Sequence, residues 1–260
     1  MARIVIVGPG RAGMSIGLAA RSAGHEIVAL AAREPLATDL AVSVPMSSRL
    51  PDAEFVFIAV PDDVIGEVAG VVRPPGGAII AHLSGRTSVD VLAQLGSKVG
   101  SLHPLMTLPS GAIGSRALAG AGAAITSRSE AVASALTVFA DSLGMRPFRL
   151  PDSSKDAYHA AATAASNYVV TALALAERLF AEAGVPLNVA EPLVTAAVAN
   201  VFELGALAAL TGPIVRGDVG TVAAQRAAAR QAGVEDSFVA LGRATALLAG
   251  TWGTVGEALT

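Results

Sequence analysis

The chain has 260 residues, enough for one large or two modest domains. Its formal charge is −3, from 18 basic and 21 acidic residues, so the composition gives no basic surface of the kind that binds nucleic acid. The sequence contains no cysteine, which excludes disulfides, thiolate metal ligands and a cysteine nucleophile, and we predict no metal site.

The composition is strongly apolar, with 53% hydrophobic residues. Two alanine-rich stretches, residues 157–176 and 189–210, have the length of membrane spans, but both carry polar side chains, so we expect no membrane insertion. The N-terminal residues form a strand pattern, so we expect no signal peptide, and the fold type favours a cytoplasmic protein. Helices that are apolar on most sides need burial, which favours a homodimer formed through them.

The first predicted strand, residues 4–7, runs directly into a glycine-rich motif, and an apolar-periodic helix, residues 12–23, follows at once. In this context Gly8 permits a tight turn, Gly10 lets the backbone approach a pyrophosphate, and Gly13 lets the helix pack on the strand. Free N–H groups at the start of such a helix bind phosphates. The motif therefore predicts a dinucleotide site that contains Gly8, Pro9, Gly10, Arg11, Ala12 and Gly13.

The end of the second predicted strand, residues 27–30, bears on the choice between NAD and NADP. An enzyme that uses NAD usually places an acid there, about 20 residues past the glycines, to hold the ribose 2′-hydroxyl. Here Arg33 follows the strand and no acid stands at its end. A guanidinium pairs bidentately with a 2′-phosphate, so we expect NADP. In the alternatives, Arg33 is a solvated loop charge, or Glu34 holds the ribose of NAD.

Strand and helix patterns alternate as far as residue 150 and predict an α/β fold with a doubly wound Rossmann-type sheet. Further strands are expected at residues 55–60, 78–83, 99–102, 123–126 and 146–150, and helices at 63–72, 89–95 and 130–143. After residue 151 only helices are expected, at 156–183, 188–210, 219–232 and 235–249. We therefore predict an NADP-binding domain over residues 1–150 and an all-α domain for substrate binding and dimerisation over residues 151–260.

In an open parallel sheet the ligand lies beyond the carboxyl ends of the strands, so the polar residues that follow each strand mark the pocket. Val60 ends the third predicted strand, Pro61 and Asp62 follow it, and all three are expected to contact the cofactor. Ser84 follows the fourth predicted strand and His103 follows the fifth, and both are candidate catalytic residues. In the alternatives, Ser84 only forms a turn and His103 only bonds a backbone carbonyl.

The first helix of the second domain carries a polar stripe on an alanine-rich background. His159, Thr163, Ser166 and Asn167 are spaced i, i+4, i+7 and i+8 and share one helix face. We interpret the stripe as a catalytic face turned to the nicotinamide, on which His159 donates a proton and Asn167 holds a substrate oxygen or carboxylate. The alternative is a buried hydrogen-bond network or contact with a partner subunit.

A second polar segment, residues 211–218, interrupts two apolar helices. Arg216 in this segment is a candidate to bind a substrate carboxylate or phosphate. Thr163 on the polar stripe is the other candidate for substrate binding. Asp218 is expected to cap the helix that follows it.

These segments together resemble a family of Rossmann-like proteins with a C-terminal helical domain of unassigned function. That family lies within the group of 6-phosphogluconate dehydrogenase-like, ketopantoate reductase-like and pyrroline-5-carboxylate reductase-like enzymes. The matching segments are residues 8–13, 59–63, 82–85, 102–104, 158–161 with 166–167, and 211–213 with 216–218. The resemblance implies a dimeric NADP-linked oxidoreductase with its active site between the two domains.

The wider group often uses a lysine with an asparagine four residues on, in the first helix of the second domain. Lys155 is the nearest match here, but His159 stands at the fourth position and Asn167 lies farther on. The resemblance therefore leaves Lys155 and His159 as alternative proton donors.

Because some relatives reduce ketopantoate, the resemblance favours an NADPH-dependent reductase of a small 2-oxo acid. Two other functions stay open. One is the reduction of a cyclic or acyclic imine, as in pyrroline-5-carboxylate reductases, and it predicts activity on pyrroline-type substrates without activity on oxo acids. The other is a non-catalytic NADP(H)-binding regulator, which binds cofactor tightly and turns nothing over.

Overall fold

A computed structural model describes residues 1–34 and 36–260 of the chain. Within them the chain forms two compact units, Met1–Ala164 and Ala165–Thr260. The long helix α5, Lys155–Glu182, begins in the first unit and continues into the second. The sheet of the first unit ends before residue 151, the predicted domain boundary.

The first unit is built on a mostly parallel sheet. Its strands are β1 Arg3–Val7, β2 Glu26–Ala32, β3 Ser43–Pro45, β4 Phe55–Ile58, β5 Ile79–His82, β6 Val99–Leu105, β7 Gly122–Thr126 and β8 Arg146–Arg149. They lie in the order β3-β2-β1-β4-β5-β6-β7-β8. Every neighbouring pair is parallel except β6 and β7, which are antiparallel.

Helices cover both faces of this sheet. They are α1 Arg11–Ser22, α2 Ile65–Val71, α3 Gly111–Ala117 and α4 Glu130–Ser142, with 3₁₀ turns at Asp62–Val64, Val89–Leu95 and Asp152–Ser154. Successive strand residues point to opposite faces, so Ile4 and Ile6 join one buried apolar cluster with α1 and α4, while Val5 and Val7 join another with α2. Two buried faces explain why the strands read as continuous apolar runs.

The predicted fold class, a doubly wound sheet followed by helices, is confirmed. Two short elements of the first unit, β3 and α3, were not predicted, because three and seven residues are too few for a clear period. Pro45 fits β3 since that strand lies at the sheet edge, where a missing N–H leaves no neighbour unpaired. The helix predicted at 89–95 is a 3₁₀ turn.

The second unit is helical. After α5 come α6 Glu191–Leu204, α7 Ala206–Ala209, α8 Pro213–Arg216, α9 Val219–Gln231, α10 Glu235–Ala249 and α11 Trp252–Val255, with 3₁₀ turns at Leu187–Ala190 and Gly256–Leu259. The single helix predicted over residues 188–210 is wrong, because Gly205, at φ +83°, separates α6 from α7. A small core of Val222, Ala246, Val255 and Leu259 holds the last helices together.

Much apolar surface in the second unit is exposed. Helix α6 contains no buried residue, and Phe202 on it is 88% exposed. Tyr168, Val170, Leu193 and Leu207 are exposed as well. The segment Leu187–Leu204 also has the length and mean hydropathy, 1.2, of a membrane-crossing helix. One such segment is weak evidence, since a helix that packs against a partner has the same composition, and the absence of membrane insertion stays a prediction.

Candidate active site

The glycine motif forms the turn between β1 and α1, as predicted. Gly8 has φ +86°, and a Cβ there would lie 2.6 Å from Val60 Cγ1. A Cβ on Gly13 would collide with the carbonyl oxygen of Gly8. At Gly10, by contrast, a Cβ would meet no heavy atom within 4 Å, and the side of the turn is open. No side chain caps the N-terminus of α1, so its first N–H groups are available to a phosphate.

A cleft of about 620 Å³ opens beside this turn. Its lining comes from the carboxyl ends of β1, β4, β5 and β6 and consists of Gly10, Arg11, Ala12, Ala59, Val60, Pro61, Asp62, Leu83, Ser84, Thr107, Leu108 and Pro109. An adjoining cleft of about 390 Å³ shares Gly10 and the 59–61 loop with it and extends to Arg33 and Glu34. We call the two clefts together the strand-end groove. It crosses the point where the strand order reverses, between β1 and β4.

The outer end of the groove carries the residues expected to select the cofactor. Strand β2 ends at Ala32, and Arg33 and Glu34 follow it with exposed side chains. A cation therefore stands at the strand end, where an acid would otherwise hold a ribose. Glu34 lines the same cleft. The geometry therefore allows both a 2′-phosphate of NADP bound by Arg33 and a ribose of NAD bound by Glu34.

Next to Ser84, which lines the larger cleft, polar side chains gather where β5 and β6 meet the start of α5, all within the first unit. We call them the polar cluster: His82, Ser84, Thr87, Ser101, His103, Lys155, Tyr158 and His159. The cluster brings together the predicted residues Ser84, His103, Lys155 and His159.

Ser84 shapes the loop after β5. Its hydroxyl oxygen accepts hydrogen bonds from the backbone N–H groups of Arg86, at 3.2 Å, and Thr87, at 2.9 Å. The same hydroxyl donates to Thr87 Oγ1 at 3.0 Å. A hydroxyl has one donor and two acceptor sites, so all of them are used within the turn. The geometry supports the turn-forming role of Ser84 and gives no support to the catalytic one.

Lys155 is 2% exposed. Its Nζ donates to the carbonyl oxygen of Thr87 at 2.7 Å and to Ser101 Oγ at 2.9 Å. The carboxylate of Asp152 lies 3.8 Å from the same nitrogen. Burial lowers the pKa of Lys155, and the charge and hydrogen bond of Asp152 oppose that shift.

Two histidines of the cluster are held uncharged at neutral pH. His82 is fully buried, and its Nδ1 accepts the N–H of Ser84 at 3.2 Å. Burial, with the charge of Lys155, lowers the pKa of His82 to about 3. Burial also lowers the pKa of His103 to about 4, helped by His159 and Lys155 and opposed by Asp62. At pH 7 neither imidazole is therefore in the protonated form that could donate a proton to a substrate.

Tyr158 fixes the tautomer of His103. Its hydroxyl lies 2.7 Å from His103 Nδ1, and burial raises the pKa of Tyr158 to about 12. A phenol O–H is a stronger hydrogen-bond donor than the N–H of a neutral imidazole, so we assign the ring proton of His103 to Nε2. The sequence did not single out Tyr158, although it stands three residues after Lys155 and thus on the same helix face.

His103 also requires a glycine opposite its ring. A Cβ on Gly85 would lie 2.9 Å from both Cε1 and Nε2 of His103. On the side of α5, the ring of His159 lies 6.4 Å from that of His103 at an interplanar angle of 72°. Nδ1 of His159 is buried and has no hydrogen-bond partner among the described residues. The two imidazoles thus lie close together in an edge-to-face arrangement.

The remaining predicted site residues do not belong to the polar cluster. Thr163, half-buried, lies one turn beyond His159 on α5 in the first unit. Asn167 and Arg216 belong to the second unit, and both are exposed. Asp218 caps α9 as predicted, because its carboxylate accepts the N–H of Thr221 at 3.0 Å. The substrate-binding roles of Thr163, Asn167 and Arg216 stay predictions.

Comparisons with known proteins agree with this architecture. Residues 2–109 match the model of a Rossmann-like domain, and residues 122–245 match that of a domain of unknown function, DUF2520. No curated protein matches the chain.

Three solved structures illustrate the likeness. A Bacteroides fragilis protein described as an NADP oxidoreductase is 22% identical, with a TM-score of 0.80 over 94% of this chain and 98% of that one. A Thermotoga maritima protein is 23% identical, with a TM-score of 0.72 over 95% and 98%. The reductive aminase of Aspergillus terreus, in complex with NADPH and ethyl levulinate, is 15% identical, with a TM-score of 0.67 over 93% and 91%. The chain thus combines a Rossmann-like domain with a DUF2520 domain and shares its fold with NADP oxidoreductases.

Proposed function

We propose that the protein is an NADPH-dependent reductase of carbon–nitrogen double bonds, with the cofactor in the strand-end groove and the polar cluster beside the reacting atoms. The observation that carries the proposal is the groove itself. It begins at a glycine turn with an open side, lies at the switch point of the sheet, and ends at Arg33. The relatives described as an NADP oxidoreductase and as a reductive aminase with NADPH support it.

The described residues fit NADPH. The open side at Gly10 and the uncapped N-terminus of α1 suit a pyrophosphate, with the Arg11 guanidinium lining the same cleft. Arg33 suits the 2′-phosphate, and the 59–61 loop forms a wall common to both clefts. When bound, NADPH supplies a hydride. The protein's own contribution is to hold, orient and balance the charge of the substrate.

Asp62 favours a cationic substrate. The reducible form of an imine is the protonated iminium cation. Asp62 lines the inner cleft, and its charge acts on both His103 and Lys155. A carboxylate at that place attracts an iminium and repels the carboxylate of a 2-oxo acid. The 2-oxo acid class favoured by the resemblance has no support from the relatives described above.

His159 is our candidate for the group that protonates a neutral imine at nitrogen, which forms the iminium that then accepts the hydride at carbon. It is the imidazole of the cluster that lies on α5, and its ring faces that of His103. Lys155 is committed to Thr87, Ser101 and Asp152. His103 is neutral at pH 7 and carries its proton on Nε2, so it serves as a fixed hydrogen-bonding group.

The test is NADPH oxidation against a panel of cyclic imines, acyclic imines and 2-oxo acids, each at several pH values. We expect turnover of imines and at least tenfold lower kcat/KM for oxo acids. Turnover of oxo acids alone would restore the 2-oxo acid function. Micromolar or tighter NADPH binding without turnover of any substrate would indicate the non-catalytic regulator.

We further propose that the protein is a homodimer, with a second copy of the chain covering the apolar surface of the second unit. The support is the amount of exposed apolar surface on α5 and α6, which includes Tyr168, Val170, Leu193 and Phe202. Monomeric proteins rarely expose such a surface to water. A second copy presents the same surface, so the two apolar faces are complementary by symmetry.

A further inference from the structure

The sequence contains two lysines, and they occupy opposite environments. Lys98 is exposed and donates to the carbonyl oxygen of Gly77 at 3.1 Å. Lys155 is buried and donates to Thr87 and Ser101. A lysine ammonium has three N–H donors; two of those of Lys155 are hydrogen-bonded to protein oxygens, and the Asp152 carboxylate pairs with the same nitrogen at 3.8 Å.

Thr87 and Ser101, the hydrogen-bond partners of Lys155, belong to the two segments that lie on either side of His103. Thr87 belongs to the turn that Ser84 closes, and that turn carries Gly85 against the ring of His103. Ser101 stands two residues before His103 on β6, so their side chains point to the same face of the sheet. One ammonium group therefore holds the Gly85 turn and strand β6 at a fixed separation.

Lys155 also sets the rotation of α5. It is the first residue of the helix, and Tyr158 lies one turn later on the same face. With the Lys155 side chain anchored, the hydroxyl of Tyr158 reaches His103 Nδ1 at 2.7 Å. The position of Lys155 thus also determines where Tyr158 contacts the His103 ring, in addition to the contacts of that ring with the Gly85 turn and strand β6.

We propose that Lys155 is a positioning residue for His103, which it serves by joining the Gly85 turn, strand β6 and the first turn of α5, and that it is not the proton donor. The inference deepens the proposed function. It rests on that function only where turnover is measured, because the tautomer of His103 is readable in the protein without substrate.

The experiment compares Lys155→Met with the matched control Lys98→Met in the full-length protein. Nitrogen-15 NMR of the imidazoles reports the tautomer, and NADPH oxidation with an imine substrate reports kcat. In the wild type and in Lys98→Met we expect His103 protonated on Nε2 alone. In Lys155→Met we expect a mixture of Nε2–H and Nδ1–H forms and a kcat about 10²-fold lower, the usual effect of a displaced active-site group, with the shape of the pH profile unchanged.

An unchanged His103 spectrum in Lys155→Met, together with loss of turnover and of the alkaline limb of the pH profile, would show that Lys155 is the donor. If Lys155→Met does not fold, Ser101→Ala removes one anchor and leaves the lysine in place. We then expect the same mixture of tautomers to a smaller extent, and a single unaltered Nε2–H form in Ser101→Ala would overturn the proposal. If no substrate is turned over by the wild type, the NMR comparison decides the question alone.

Discussion

Tyr158 and His103 meet edge-on, with ring centroids 5.5 Å apart at an interplanar angle of 90° and a 2.7 Å hydrogen bond between the phenol oxygen and Nδ1. A donor to Nδ1 stabilises the neutral imidazole. Tyr158→Phe removes that donor and keeps the ring, so we expect the pKa of His103 to rise above its value of about 4. Titration of His103 by NMR measures this. An unchanged pKa would mean that the hydrogen bond does not govern the imidazole.

Cofactor choice is predicted to depend on Arg33. Arg33→Asp should weaken NADPH binding by one to two decades and spare NADH, because losing a charge-assisted contact costs roughly 1.5–3 kcal/mol. Dissociation constants from fluorescence titration test this. The neighbouring variant Glu34→Gln is the matched control and should leave the NADPH constant equal or slightly tighter. Equal NADH and NADPH constants in the wild type would contradict the assignment.

Proton donation is predicted to depend on His159. His159→Ala should lower turnover about 10²–10⁴-fold, the usual contribution of a general acid, with NADPH affinity little changed. His25→Ala is the control, since His25 bonds Ser142 and the N–H of Ala2 and is no part of the polar cluster. Near-normal turnover in His159→Ala would remove His159 from the mechanism.

Stability is predicted to fall as the pH drops from about 6.5 towards 4. His82 and His103 have folded pKa values of about 3 and about 4, well below that of an unfolded histidine. The unfolded state therefore binds more protons, so the stabilising effect is complete above pH 6.5 and is lost as pH falls. Each histidine lowers the free energy of unfolding by as much as about 1.4 kcal/mol for each pH unit of acidification. Urea unfolding at pH 5 and 6.5 measures it, and His103→Gln should flatten the dependence.

The oligomeric state is predicted to depend on helix α6. Sedimentation of the wild type at micromolar concentration should show a dimer, and Phe202→Asp, which places a charge on the exposed apolar surface, should give a monomer. Val138→Asp is the control, because Val138 is also exposed but lies on α4 in the first unit. A monomeric wild type would refute the proposal.

The sequence predicts well what is local in the chain. The turn at Gly8–Gly13 and the cation at Arg33 follow from strand, glycine and helix patterns that are contiguous. The pairing of His103 with Tyr158 joins residues 55 positions apart and depends on where α5 packs against β6. No pattern in one sequence gives that distance.

The burial of Lys155 is equally hidden from the sequence. A lysine beside Asp152 and Asp156 at a helix start has the pattern of an exposed first turn. It is buried because three oxygens from separate segments converge on its Nζ. Ser84 shows the reverse case, since its polar position after β5 suggested chemistry, whereas its hydroxyl closes a turn.

Because Lys98 is exposed and Lys155 is buried, chemical labelling of the two lysines can report local unfolding of the protein. An amine-directed acylating reagent that labels folded protein should reach Lys98 and the terminal amine, and should miss Lys155 while its Nζ is enclosed. A label on Lys155 then records opening of the segment where β5, β6 and α5 meet. Mass spectrometry of labelled peptides would follow the local stability of that segment without any engineered probe.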